Sequence, residues 1–173
     1  AVVEQLRGGI ASLMKANKVT VIQGSASIVD SGQVRVEPDG TELETEHILI
    51  ATGSIPAVPP IPGADLPGVV TSDELLDCDK LPQSLVIIGG GGIGMEFASV
   101  FSALGCRVTV VEALERILAN MDKEISQNLK MIMKKRGVDI HAAAMVQEIA
   151  ADPEGGLICS YTEKDKPAQA QGD

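Results

Sequence analysis

The residues able to do chemistry gather first at Gly89-Gly90-Gly91-Gly92-Ile93-Gly94, which satisfies G-x-G-x-x-G at Gly89, Gly91 and Gly94. Each glycine there has a physical use. Gly89 permits a tight turn, Gly91 lets the backbone approach a pyrophosphate, and Gly94 lets a helix pack closely on a sheet. A helix opening near Gly92 would turn free N–H groups and the positive end of its dipole toward the phosphates. The second chemical group is Glu112, close to the ~20-residue distance from such a motif at which an acid meets the adenosine ribose. Its carboxylate can accept hydrogen bonds from the 2′ and 3′ hydroxyls and would repel a 2′-phosphate. The pair therefore reads as a site for NAD rather than NADP, with Arg116 the nearby cation that keeps NADP in play.

Positioning these groups requires a strand, a helix and a second strand, and the sequence supplies them in that order. Leu85-Val86-Ile87-Ile88 is an apolar run that stops at the glycines, and Val108-Thr109-Val110-Val111 is another that stops at Glu112. Between them, Ile93, Phe97, Val100, Phe101 and Leu104 are spaced to line one face of a helix. A second helix is expected over Asp122 to Arg136, with Ile125, Leu129, Ile132 and Met133 on one face and Gly137 as its stop. Val138-Asp139-Ile140 starts a third strand. Met145 to Ala150 and Leu157 to Thr162 flank Asp152-Pro153-Glu154-Gly155-Gly156 as a hairpin. The tail from Lys164 to Asp173 reads as polar and loose.

Composition bounds the partners. A net charge of −10 argues against nucleic acid and against an anionic membrane surface, so a phosphate ligand must be held by local dipoles. Hydrophobic residues make up 45% of the 173 but aromatics only 2%, so the core must be aliphatic, which suits a buried parallel sheet. No apolar run is long enough to span a bilayer, and no signal-peptide pattern opens the chain. Cys78, Cys106 and Cys159 show no metal spacing and read as small core residues in a reducing cytoplasm. No metal site is expected.

The first third reads differently. Val2, Val3, Leu6, Ile10, Leu13 and Met14 form a helical stripe ending near Asn17, and the chain starts abruptly in that helix. Strands are expected over Val19–Gln23, Ser27–Val29, Val34–Glu37 and Glu46–Ala51, with turns at Asp30-Ser31-Gly32 and Pro38-Asp39-Gly40. A stiff connector with Pro56, Pro59, Pro60, Pro62 and Pro67 follows, a natural bridge between domains. Ser72 is the expected N-cap of a short helix.

Two signatures in fixed order, Ala51-Thr52-Gly53-Ser54-x-Pro56 and then Gly89-x-Gly91-x-Ile93-Gly94-x-Glu96, resemble the flavoprotein disulfide reductases. In that family an NAD(P) domain is inserted into an FAD domain, and a dimerisation domain follows. The resemblance implies an α/β fold: a Rossmann-like NAD-binding domain, with a parallel sheet, helices and a β-hairpin, preceded by part of an FAD-binding domain. It divides the chain into 1–67 (FAD segment and connector), 68–163 (NAD domain) and 164–173 (polar tail).

By resemblance, Thr52, Gly53 and Ser54 contact the flavin nucleotide and Ala26 lies beside its adenine. Val146 matches a residue that touches the NAD adenosine, although a strand core residue would look the same. Glu96 matches a glutamate near the flavin–nicotinamide contact, and a place on the first helical turn would favour a carboxylate in any case. Gly92 replaces the larger residue that covers the nicotinamide pocket in some relatives. The family's first FAD glycine motif, its C-x-x-x-x-C redox pair, its later flavin motif and its histidine–glutamate base pair do not occur in the sequence. The last strand of the inserted domain is also missing from the expected elements. Neither His47 nor His141 stands in a matching context, so each is expected to be a surface or strand histidine.

The implied parent reaction is oxidation of protein-bound dihydrolipoamide through a disulfide and FAD to NAD, by a homodimer serving lipoyl-bearing proteins of a 2-oxo acid dehydrogenase or glycine cleavage complex. This chain would be its central, separately inactive portion. Another FAD/NAD(P) disulfide reductase, an NADH oxidase and a non-catalytic NAD-binding module remain alternatives.

Overall fold

The computed structural model describes residues 2–173. The chain divides into two compact units between Ser54 and Ile55.

In the first unit, α1 (Val2–Ala16) carries the expected apolar stripe but buries none of it. A three-stranded antiparallel sheet follows, β1 (Ser25–Asp30), β2 (Gln33–Glu37) and β3 (Thr41–Glu44), in the order β1-β2-β3. Both expected turns join these strands. The expected strands at 19–23 and 46–51 do not form. Their apolar residues are on the surface, with Val21 58% and Leu49 90% exposed. β propensity alone does not make a strand: the segment also needs a neighbour to satisfy its backbone.

The second unit begins with the connector, which is pinned rather than free. The Ile149 N–H donates to the Pro62 carbonyl at 2.8 Å, and a Cβ on Gly63 would run into the Ile149 carbonyl oxygen. The short α2 (Ser72–Leu76) is capped by Thr71, not by Ser72. The Thr71 N–H donates to the Glu74 carboxylate at 2.7 Å.

Then come β4 (Ser84–Ile88), α3 (Gly92–Ala103), β5 (Arg107–Glu112), α4 (Lys123–Lys135) and β6 (Asp139–Ala142). The strands pair in parallel in the order β4-β5-β6. β7 (Ala144–Ala151), β8 (Leu157–Glu163) and β9 (Lys166–Gly172) form an antiparallel sheet. Along β5, Val108 and Val110 pack into a core with Met95, Ala98 and Phe101 of α3 and Met133 of α4. Val111 turns the other way, onto Ala144 and Tyr161. The parallel sheet is covered on both faces, which is why its strands read as unbroken apolar runs.

Four expectations about packing are corrected. The buried face of α3 is Met95, Ala98 and the expected Phe101, with the expected Phe97 half-buried against the same core, whereas Ile93, Val100 and Leu104 are 63%, 54% and 59% exposed. That helix is apolar nearly all round, so spacing alone cannot choose its face. On α4, Ser126 and Met133 are buried while Ile125 and Ile132 are half exposed. The tail expected to be loose is β9. Lys164 and Asp165, both at positive φ (51° and 61°), make a two-residue hairpin turn. Ala168 and Ala170 then pack on the Val111–Tyr161 cluster, and the Asp173 carboxylate accepts from the Gln83 N–H and the Ser84 hydroxyl, each at 2.6 Å. Small alanines alternating with polar residues hid this strand. Of the cysteines, Cys106 and Cys159 are buried as expected, but Cys78 is exposed. Among the described residues no helix is long and apolar enough to cross a membrane.

Candidate functional site

β4 delivers the chain to the glycine turn, where Gly89 and Gly94 meet the steric demands expected of them. Gly89 has φ +111°, a region few other residues adopt. A Cβ on Gly94 would collide with the Gly89 carbonyl oxygen and come within 3.2 Å of Ile87, so α3 can approach β4 only because position 94 has no side chain. A Cβ on Gly89, Gly91 or Gly92 would instead meet none of the described residues within 4 Å, apart from its chain neighbours and, for Gly92, the helix's own backbone. Gly91 is the N-cap of α3 and caps it with no side chain, so the first-turn amides are left for a ligand.

Glu112 closes the turn from beneath. It is 9% exposed. One carboxylate oxygen accepts from the Gly90 N–H at 2.6 Å, the other from the Leu114 N–H at 2.7 Å. A carboxylate offers about four lone-pair directions, so each oxygen keeps acceptor capacity for a ribose hydroxyl. Sequence spacing pointed to the carboxylate as a ligand group; the structure adds its bond to the glycine turn.

The turn after β5 supports the same loop. The Leu118 N–H donates to the Gly90 carbonyl at 2.8 Å, and a Cβ on Gly90 would come within 2.7 Å of Ile117. Ile117 is wholly buried, and its carbonyl accepts from the Ser126 hydroxyl at 2.6 Å. Sequence reasoning passed over Ile117, Leu118 and Ser126. The available signal was a serine on the apolar side of α4. Arg116 donates through Nη2 to the Ala119 carbonyl at 2.8 Å, while its buried Nη1 has no partner among the described residues.

The remaining expected residues are placed as follows. Gly90 and Ile93 belong to the loop and the first turn of α3, with Ile93 exposed. Glu96 is exposed and is the fifth residue of α3, beyond the first turn, which corrects the argument that the helix dipole favours it there. Val146 is half-buried on β7 and packs on the Val111–Tyr161 cluster, so its strand-core role is real. In the first unit, Ala26 is exposed on β1, and Thr52, Gly53 and Ser54 are exposed on chain outside any helix or strand, with Gly53 at φ +74°. His47 is exposed. His141 is on β6 with Nδ1 2.8 Å from Glu163, Nε2 3.3 Å from Asp139 and its ring 5.1 Å from that of Tyr161, a clasp between the two sheets. Among the described residues no cluster of His, Cys, Asp and Glu could hold a metal ion.

Comparison with known proteins gives a consistent picture. Residues 1–170 match the family described as pyridine nucleotide-disulphide oxidoreductase. A dihydrolipoyl dehydrogenase of Acholeplasma laidlawii is 42% identical over 152 residues, which is 86% of this chain and 45% of that protein. A probable pyridine nucleotide-disulfide oxidoreductase, RclA, of Escherichia coli K12 is 42% identical over 135 residues, 76% of this chain and 31% of that one. The solved Cu(II) complex of the HOCl-induced flavoprotein disulfide reductase RclA from Escherichia coli superposes with a TM-score of 0.81 at 35% identity, covering 99% of this chain and 38% of that one. The chain therefore spans less than half the length of these relatives.

Proposed function

We propose, for a chain that belongs to the pyridine nucleotide-disulphide oxidoreductase family, that its second unit is the NAD platform of an FAD-dependent dehydrogenase acting on dihydrolipoamide. The observation that carries this reading is the contrast within one loop. Gly90 is held by hydrogen bonds at both its N–H and its carbonyl, while the next two positions face open space. A backbone fixed on one side and bare on the other is suited to receive a phosphate without reorganising.

In this reading the amides of Gly91, Gly92, Ile93 and Gly94 hold the pyrophosphate, and Glu112 accepts the ribose hydroxyls while excluding a 2′-phosphate. Val146 borders the adenosine. Glu96 is the candidate catalytic residue, near the flavin–nicotinamide contact. Ala26, Thr52, Gly53 and Ser54 are this chain's share of the FAD site, and the residues that complete it belong to other parts of the parent. Bound FAD and NAD would exchange a hydride between their rings; the protein's part is to hold the dinucleotide in register and keep its phosphates neutralised by dipoles. The chain alone lacks the redox cysteines and the acid–base pair and would be inactive. The parent would be a cytoplasmic homodimer served by lipoyl-bearing proteins.

Fluorescence titration tests the platform: the protein should bind NADH, and NADPH at least about tenfold more weakly. Equal affinity for the two, or none for either, rejects the assignment of Glu112. A second reading has support of its own, because identity to RclA equals that to the dihydrolipoyl dehydrogenase at 42%. Turnover of dihydrolipoamide by the full-length parent separates the two.

A further inference from the structure

We propose that Ser126 is a positioning residue for the dinucleotide loop, acting through the turn at residues 113–122 rather than on the ligand. The inference rests on the reading of Gly89–Gly94 as the phosphate site.

Ser126 is 2% exposed on the face of α4 that otherwise contributes Met133 and Leu129 to the core. A hydroxyl there costs stability unless it is bonded, and it donates to the Ile117 carbonyl at 2.6 Å. Ile117 is the floor under Gly90. The next residue, Leu118, has φ +49°, which a leucine keeps only where its surroundings impose it. Three bonds impose it: Ser126 to the Ile117 carbonyl, the Leu118 N–H to the Gly90 carbonyl at 2.8 Å, and the Met121 N–H to the Leu118 carbonyl at 2.8 Å.

A hydroxyl on α4 thus sets the amide that holds Gly90 by its carbonyl, opposite the carboxylate that holds its N–H. The Gly90 carbonyl shares a peptide plane with the Gly91 N–H, so holding that carbonyl, together with the Gly90 N–H one peptide earlier, sets the direction of the Gly91 amide before any ligand arrives. Without the hydroxyl, the buried Ile117 carbonyl loses its partner and Leu118 is free to leave the left-handed region. The ligand would then have to order the loop itself, which lowers affinity without altering the bound state.

The test is Ser126→Ala, with Ser126→Cys as a graded variant because a thiol is a weaker donor. NADH dissociation constants and amide hydrogen exchange at Gly90, Gly91 and Gly92 are read in each. NADH should bind about tenfold more weakly to Ser126→Ala, with faster exchange at those glycines and Ser126→Cys in between. In the full-length parent the KM for NAD should rise while kcat at saturation stays within about twofold. Unchanged affinity and exchange in Ser126→Ala, or in Ser126→Cys should the alanine variant not fold, overturns the proposal. If the unsubstituted protein itself fails to bind NADH, the dinucleotide reading is what has failed, and unchanged exchange in the variants still decides the bracing role.

Discussion

Replacing Glu112 by glutamine separates the two duties assigned to that side chain. The carboxylate accepts from the Gly90 N–H at 2.6 Å and from the Leu114 N–H at 2.7 Å, at a site only 9% exposed. A glutamine has one acceptor oxygen, so its NH₂ group must face one of those two donors. One buried N–H then loses its partner, which costs about 1–3 kcal/mol, and the surviving bond is no longer charge-assisted, which costs roughly another 1 kcal/mol. A total of about 2–4 kcal/mol should lower the urea midpoint visibly and the melting temperature by about 4 °C per kcal/mol. Ribose binding is a separate quantity: charge-assisted bonds to the hydroxyls, worth about 1.5–3 kcal/mol, predict NADH affinity about 10- to 100-fold weaker. Circular dichroism in urea and an NADH titration on the same samples read both. An unchanged midpoint would refute the hold on the glycine loop. An unchanged affinity in a folded variant would refute the ribose contact.

Gly91→Ala and Gly94→Ala form a contrasting pair. The first should fold within about 0.5 kcal/mol of the parent, because its Cβ meets nothing within 4 Å, yet bind NADH at least about tenfold more weakly by intruding on the pyrophosphate. The second should lose the fold in a thermal melt, since its Cβ meets backbone at the Gly89 carbonyl. Asp173 should make stability depend on pH. The Ser84 hydroxyl, then the Gln83 N–H, hold its carboxyl below the usual carboxylate range. A lowered carboxyl stabilises the fold above about pH 4, and the gain disappears as pH falls through the lowered value. The difference in urea midpoint between the parent and Asp173→Asn should therefore be full at neutral pH and vanish in strong acid; a difference constant with pH would contradict the clasp. Thiol titration should find Cys78 fast and Cys106 and Cys159 slow, because burial pushes both inner thiols up and shields them.

What the sequence revealed and what it concealed divide along local and non-local physics. The glycine turn was readable because Gly89 and Gly94 answer steric demands of their own few neighbours, φ +111° at one and a backbone oxygen beside the other. The alternation of strand and helix from Ser84 to Ala142 was readable for the same reason, since short apolar runs and capping residues are local signals. Other features depended on partners that a sequence does not bring together. Val19–Gln23 has the composition of a strand but, among the described residues, no strand pairs with it, while Lys166–Gly172 has a poor composition and a neighbour in β8 that makes it one.

The face of α3 was undecidable because Ile93, Val100 and Leu104 are as apolar as the Met95, Ala98 and Phe101 that β5 selects. The candidate site follows the same division. Glu112 could be found by its distance from the motif, but its bond to Gly90, and the support reaching Gly90 from Ser126 through Ile117 and Leu118, required the fold. A motif of this kind points to the backbone that the proposed site would present; the atoms that hold that backbone come from the loop after β5 and from the next helix.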